Sequence, residues 1–175
     1  MICHLALPAA LGVLCAAGTA TAAPAIAFFP GSGVPSAEAD AGEWQSPVLI
    51  VYDAPYCELE MAMECQLVRL DCDGPDLQIS VDGFGKREFA EAARSLKLTG
   101  LSAEAEPMPN QVERSALDGT WSAIFVAPYT QDPGLVLDDR LTTLAFETAG
   151  KTVTVNLTDE DRRVLRDFVG SCQRE

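Results

Sequence analysis

Cysteine is the residue type with the most definite chemistry in this chain. Two of the six cysteines, Cys3 and Cys15, lie in its opening segment, and the other four form an even set. These four are Cys57, Cys65, Cys72 and Cys172. None of their spacings is the C-x-x-C pattern of a zinc or redox site, and an even set in an oxidising compartment favours disulfides. The sequence therefore predicts two structural disulfides.

The opening segment indicates the compartment. No Asp, Glu, Lys or Arg occurs before Glu38, and residues 5–17 form an apolar stretch of the length of a signal h-region. Small residues follow, with an A-x-A cleavage motif that ends at Ala22. The stretch is short of the roughly 20 apolar residues that a membrane span needs. We predict a signal peptide over residues 1–22, a periplasmic or secreted mature protein, and no stable membrane span after cleavage.

Histidine chemistry is excluded by the same prediction. The only histidine, His4, lies in the signal peptide, so the mature chain would contain no imidazole. Ser-His-Asp and Cys-His nucleophiles and His-ligated zinc sites all require one. The chain also has no Gly-rich phosphate loop, and we expect no cofactor.

The charge of the chain indicates which partners it can meet. Twelve Lys and Arg stand against 26 Asp and Glu, which gives a formal net charge of −14. Such a surface is repelled by phosphate, which disfavours nucleic acid and anionic membranes as partners, and we expect no nucleic-acid partner. It accelerates encounters with cationic surfaces instead. We expect a basic protein or a cationic ligand as partner.

Three further sets of residues are candidates for a site. Asp71, Asp73 and Asp76 lie in a glycine-containing acidic turn that offers oxygen ligands to Ca²⁺, although it lacks the twelve-residue EF-hand pattern. Close carboxylate pairs such as Glu58 and Glu60 have the chemistry of a glycosidase. The third set is aromatic and is typical of a ligand groove: Trp44, Trp121 and Tyr129, with Tyr52 and Tyr56.

The pattern along the chain predicts one domain. Residues 23–46 are rich in Ala, Pro, Gly and Ser and predict an extended or mobile arm, whereas residues 47–175 predict a single domain. Apolar or alternating runs predict strands at residues 47–52, 77–81 and 120–127, and a hairpin of residues 141–147 with 151–156. Residues 102–110, which contain two prolines, predict an exposed connection.

The segment that contains three of the cysteines has two interpretations. Apolar residues change phase near Cys65, which predicts a hairpin of residues 57–63 with 67–72 and places Cys57 opposite Cys72. This hairpin would bridge Cys57 to Cys72 and leave Cys65 for Cys172. The rival is a helix, because the same apolar residues also follow helical spacing.

Two amphipathic helices complete the predicted fold. Residues 86–97 carry an apolar stripe that begins at Phe89, and we expect it to pack on the sheet. A second helix follows the N-cap Thr158, carries acidic residues in its first turn, and is predicted to stop at Gly170 just before Cys172. The predicted fold is α+β: an antiparallel sheet of about six or seven strands with two amphipathic helices, stapled by disulfides.

Two functions remain compatible with these observations. The first is a small exported, non-enzymatic binding or structural module for a basic or cationic partner. The second is a histidine-free, carboxylate-dependent hydrolase of the glycosidase kind. A hydrolase requires a concave cleft with two convergent carboxyl groups, one of them with a shifted pKa, whereas a binding module requires only a charged surface.

Overall fold

The computed structural model describes residues 24–31, 46–54, 56–59, 62, 64–73, 76–101, 106–115, 118–128 and 140–172. The predicted signal peptide, residues 32–45 of the predicted arm and the segment after the 120–127 strand lie outside these residues. The described strands are β1 (Ala25–Phe29), β2 (Val48–Tyr52), β3 (Gln66–Asp73), β4 (Asp76–Phe84), β5 (Leu96–Thr99), β6 (Glu106–Arg114), β7 (Trp121–Pro128), β8 (Thr143–Thr148) and β9 (Lys151–Asn156). The described helices are α1 (Arg87–Ala92) and α2 (Asp159–Cys172).

The strands form two antiparallel sheets. The large sheet has six strands in the order β1-β2-β3-β4-β7-β6, and the small sheet has three in the order β5-β8-β9. An antiparallel sheet with helices and disulfides was predicted and is confirmed, but the architecture is predominantly β and its strands divide between two sheets. Strand β1 lies in the segment assigned to the N-terminal arm, where it pairs with β2.

The large sheet has one apolar face and a second face, here called the polar face, on which polar side chains of β3 and β4 lie beside the buried Ile50 and Ile124. Leu70 on β3 pairs with Ile79 on β4, which pairs with Phe125 on β7, and all three side chains are fully buried. This face contributes to one core with apolar residues of the small sheet and of α2. One residue further along, Arg69 pairs with Ser80 on the opposite face, because successive side chains of a strand alternate.

The β8–β9 hairpin of the small sheet agrees with its prediction. Phe146 pairs with Val153 and Leu144 with Val155, and all four side chains are buried. Gly150 adopts a φ of +78° in the connecting turn, a conformation that glycine adopts without steric cost.

Helix α2 begins at the predicted cap. The Thr158 hydroxyl oxygen accepts the Asp161 N–H at 3.2 Å, and Asp161 Oδ2 accepts the Thr158 N–H at 2.8 Å. This reciprocal arrangement is a capping box, which satisfies two backbone donors at the helix start. The helix does not stop at Gly170 as predicted but continues to Cys172, and it buries Leu165 and Phe168.

Two disulfides are present, as predicted, but the predicted pairing is wrong. Cys57 is bonded to Cys65, and Cys72 to Cys172. The reason is the position of β3, which pairs with β2 on one side and β4 on the other and so leaves no edge for residues 57–63. Cys72 is therefore fully buried on the apolar face, where Cys172 of α2 reaches it.

The described residues between β2 and β3 form turns, so both the predicted hairpin and its helical rival are wrong there. The Asp53 N–H donates to the Cys65 carbonyl at 3.3 Å, which closes the segment at its base. The Cys57–Cys65 bond holds the same segment together. The strand predicted at residues 67–72 is confirmed as part of β3.

The region around α1 departs from its prediction in two ways. The helix is only six residues long, because the chain becomes strand β5 at Leu96, and Phe89 is 53% exposed instead of packing on the sheet. The predicted connection at 102–110 contains the start of strand β6. Its prolines are tolerated because the described part of the chain places β6 at the sheet edge, paired only with β7.

Candidate ligand cleft on the polar sheet face

The polar face of the large sheet contains a cleft of about 300 Å³. Strands β3, β4, β6 and β7, the turn before β3 and the turn between β6 and β7 contribute its walls. Among the described residues it is lined by four carboxylates, two guanidiniums and five uncharged polar residues. These are Glu64, Asp82, Glu113 and Asp118; Arg69 and Arg114; and Gln66, Ser80, Ser115, Thr120 and Ser122. The alternation of Ser80 and Asp82 with the apolar Ile79 and Val81 places both polar side chains on this face.

Asp82 is the buried carboxylate of the cleft, with only 7% of its surface exposed. Ser80 Oγ donates to Asp82 Oδ1 at 3.1 Å, and Gln66 Nε2 donates to Oδ2 at 2.5 Å. Each carboxylate oxygen has a second lone pair, so both can accept a further hydrogen bond from a ligand. The hydrogen bonds from Ser80 and Gln66 hold the carboxylate in place at the floor of the cleft.

A bulge in β4 follows Asp82. The register shifts between Val81 and Phe84, and Gly83 within it has a φ of +80°. This left-handed conformation favours glycine, and bulges of this kind redirect neighbouring side chains. A Cβ atom at Gly83 would also lie 2.7 Å from Lys151 Nζ.

Asp118 stands at the rim on the turn between β6 and β7. Its Oδ1 accepts the Thr120 N–H at 3.0 Å and the Thr120 hydroxyl at 2.8 Å. These hydrogen bonds from Thr120, the backbone one first, lower the pKa of the Asp118 carboxyl below its ordinary value. The group is therefore a carboxylate at neutral pH.

Lys151 extends from the β8–β9 turn toward the bulge. Its ammonium lies 5.4 Å from the centre of the Phe84 ring, within the range of a cation–π contact. Burial lowers the pKa of Lys151, and attraction to Asp82 and Asp118 offsets part of this effect. The small sheet thus contributes one positive charge to the electrostatics of the cleft.

Several polar groups of the cleft have no partner within the described part of the chain. The Arg69 guanidinium is partly buried and forms neither an ion pair nor a hydrogen bond. The Ser122 side chain is 7% exposed and its hydroxyl has no hydrogen-bond partner. The Gln66 Oε1 oxygen is buried and accepts no hydrogen bond. Gln66 Oε1 is fully buried, whereas the Arg69 and Ser122 groups reach solvent, so the cleft offers unused donors and acceptors to a ligand.

The acidic turn proposed for Ca²⁺ lies at the end of β3 and β4. Asp71 accepts a hydrogen bond from the Ser46 hydroxyl and pairs with Gln78, while Asp76 lies opposite Asp73 in the ladder. Within the described residues, no group of three or more His, Cys, Asp or Glu is placed to hold a metal ion. The Asp73 side chain lies outside them, so this site remains a prediction.

The aromatic groove also remains a prediction. Trp44 and Tyr129 lie outside the described residues. Trp121 packs against the core, with the Arg87 guanidinium 5.6 Å from its ring centre. Tyr56 is 79% exposed on the turn after β2, and Tyr52 ends that strand.

Sequence reasoning did not identify the cleft. Its residues come from four strands and two turns, most of them distant in sequence, so no local motif joins them. One signal was present: Gln78, Ser80 and Asp82 alternate with buried apolar residues and mark a polar sheet face. The strand order β3-β4-β7-β6 decides which residues of the other strands lie beside these three. A local sequence pattern does not reveal that order.

No protein-family model, curated protein or solved structure matches the chain. Neither helix in the described ranges combines the length and apolar composition of a membrane span.

Proposed function

We propose that this protein is an exported, non-enzymatic binding module that holds a cationic group of its ligand in the cleft around Asp82. The observation that carries the proposal is the buried Asp82 carboxylate, which shares the cleft with two further carboxylates that lack cationic partners among the described residues. Glu64 and Glu113 are exposed at the rim, and in the described structure neither forms an ion pair or a hydrogen bond. The net charge of −14 favours the approach of such a ligand.

The surroundings of Asp82 support binding by a preorganised carboxylate. Gln66 and Ser80 fix its orientation, so a ligand ammonium would not have to order a mobile side chain. A charge-assisted hydrogen bond in a partly desolvated cleft is roughly twice as strong as a neutral one. Two disulfides are compatible with an extracellular or periplasmic location.

The hydrolase alternative has less support from the same cleft. It needs one carboxyl with a raised pKa to donate a proton to the leaving group. Asp118 is shifted in the opposite direction by the hydrogen bonds from Thr120. It therefore stays ionised and does not suit the role of general acid, which leaves binding as the better interpretation.

Isothermal titration calorimetry of the purified exported protein with cadaverine tests the proposal. We expect binding that weakens when salt is raised from about 0.05 M to 0.15 M, because the screening length falls. Asp82→Asn keeps the shape of the side chain but removes its charge, and should weaken cadaverine binding at least tenfold. Glu113→Gln should weaken it by a smaller factor, because that carboxylate is exposed to solvent.

Glu160→Gln is the matched control. It removes the same formal charge from an exposed site on α2, which packs against the other face of the large sheet. It should leave cadaverine affinity unchanged. Absence of cadaverine binding to the wild-type protein, or equal weakening by Asp82→Asn and Glu160→Gln, would contradict the proposal. Thermal melts of each variant verify that it is folded.

A further inference from the structure

The unpaired Arg69 guanidinium places a second requirement on the ligand of this cleft. Arg69 pairs across the ladder with Ser80, whose hydroxyl donates to Asp82. Asp82 lies two residues beyond Ser80 and is therefore a diagonal neighbour of Arg69 on the same face, at a spacing of about 7–8 Å that a long side chain can reach. Even so, the two side chains form no ion pair in the described structure.

The Arg69 guanidinium is available to a ligand. Arg69 is partly buried, and its five N–H donors have no protein acceptor among the described residues. Its nitrogen atoms are not among the fully buried unpartnered atoms of the described chain, so they are open to the cleft. A planar guanidinium is best satisfied by a carboxylate, which it binds through two parallel hydrogen bonds.

Ser122 provides an independent indication of a ligand. Its side chain is more than nine-tenths buried, lines the cleft, and has a hydroxyl that neither donates nor accepts a hydrogen bond within the described ranges. It lies on β7 next to Ala123, which pairs with Val81 of β4. Ser122 therefore lies on the strand beside that of Asp82, and its hydroxyl in the cleft can accept from, or donate to, a bound polar molecule.

We infer that the cleft binds a small zwitterion of the amino-acid type, whose carboxylate pairs with Arg69 and whose ammonium pairs with Asp82. This inference rests on the proposed function and adds the carboxylate to it. The Arg69 guanidinium and the Asp82 carboxylate share the cleft without contacting each other. One molecule that carries both a carboxylate and an ammonium can pair with both of them. The Ser122 hydroxyl supplies a further hydrogen bond to the same ligand. A volume of about 300 Å³ is sufficient for a free amino acid.

Lysine and cadaverine form the decisive pair of probes, because cadaverine is lysine without its carboxylate. Calorimetry on the wild-type protein should show lysine bound at least tenfold more tightly than cadaverine. Lysine methyl ester, in which the carboxylate is blocked, should bind like cadaverine. Nα-acetyl-lysine, in which the α-ammonium is blocked, should bind more weakly than lysine. These wild-type measurements do not depend on any variant being stable.

Arg69→Gln assigns the preference to one residue. It should lower the affinity for lysine at least tenfold and should not lower the affinity for cadaverine, because the guanidinium repels a ligand that carries only positive charge. Arg163→Gln is the control, because it removes one positive charge from an exposed position of α2. Ser122→Ala should weaken lysine binding by a smaller factor than Arg69→Gln.

The outcomes separate the two proposals. If cadaverine binds as tightly as lysine and Arg69→Gln changes neither, the zwitterion is wrong and the cationic site stands. If neither probe binds, both proposals are wrong. If inorganic phosphate or acetate competes as well as lysine, the Arg69 site takes an anion alone, which also overturns the inference.

Discussion

At the scale of residues, the cleft combines unpaired charges of both signs. The exposed acids of the two helices are mostly paired with neighbours, as in Arg87 with Glu91 at 2.7 Å and Arg163 with Glu160. Such exposed pairs contribute about 0–1 kcal/mol each. The cleft residues Glu64, Arg69 and Glu113 have no such partner among the described residues. The cleft therefore offers unpaired groups of both signs to a ligand.

Lys151 gives a residue-scale prediction about stability. Burial lowers its pKa from the usual 10.5, so its positive charge is less favourable in the folded than in the unfolded state. This penalty is fully present below the folded-state pKa and disappears as pH rises to the unfolded value of 10.5. Lys151→Met should therefore raise the Tm at pH 7 by about 1–3 °C.

Calorimetric melts at pH 7 and pH 9.5 measure this effect. The gain from Lys151→Met should shrink at the higher pH, where wild-type Lys151 begins to lose its proton in the folded protein. Lys97→Met serves as control, because Lys97 is exposed on β5 and paired with Glu147 at 3.6 Å. A Lys151→Met variant that is less stable at pH 7, or a gain independent of pH, would show that the ammonium is favourable where it lies.

At the scale of elements, the sequence predicted those structures whose cause is local. The β8–β9 hairpin follows from alternation on both sides of Ala149 and Gly150, and α2 from the Thr158 cap and the apolar stripe behind it. Residues 57–63 had equally good alternation, but β2 already occupies the strand edge that they would have needed. Competition between distant segments for one edge is invisible in a local pattern.

The cap of α2 gives an element-scale prediction. Thr158→Ala removes the hydroxyl that accepts the Asp161 N–H, and should lower the free energy of unfolding by about 1 kcal/mol. Thr158→Ser retains the hydroxyl and should remain within about 0.5 kcal/mol of the wild type. Urea unfolding monitored by circular dichroism measures both variants. Equal losses in the two would indicate that the threonine methyl group, rather than the cap, is responsible.

The β4 bulge gives a second prediction at this scale. Gly83→Ala places a side chain at a φ of +80° and a Cβ beside Lys151 Nζ, so we expect a loss of about 1–2 kcal/mol. Gly85→Ala is the matched control, since its Cβ would meet open space two residues away. Urea unfolding compares the two. Similar stabilities would mean that the bulge does not require glycine.

At the scale of the whole molecule, one core joins elements from both ends of the described chain. Ile26 of β1 and Phe168 of α2 belong to the same apolar cluster as Leu70 and Leu144. The Phe28 and Phe168 rings meet edge to face at 6.0 Å. The Cys72–Cys172 bond fixes α2 to the central strand β3 of the large sheet. The paired elements lie far apart in sequence, and for this reason their arrangement could not be derived from local spacing.

The two disulfides should differ in their effect on global stability. The Cys72–Cys172 bond spans 100 residues and the Cys57–Cys65 bond spans eight. In the chain-entropy model, closing the longer loop contributes about 5 kcal/mol and the shorter one about 2.5 kcal/mol. The free energy of unfolding of the Cys72→Ala/Cys172→Ala double variant should therefore be about 2 kcal/mol lower than that of the Cys57→Ala/Cys65→Ala double variant.

Urea unfolding of the two double variants tests this order, and peptide mapping under non-reducing conditions tests the pairing itself. A proteolytic digest of the native protein should contain one linked peptide pair with Cys57 and Cys65 and another with Cys72 and Cys172. The stability difference follows from the position of each bond. The loop closed by Cys72–Cys172 includes β4, β6, β7 and the entire small sheet, so removing this bond frees most of the unfolded chain from its constraint. Equal stabilities would mean that core packing, and not the covalent link, holds α2 on the sheet.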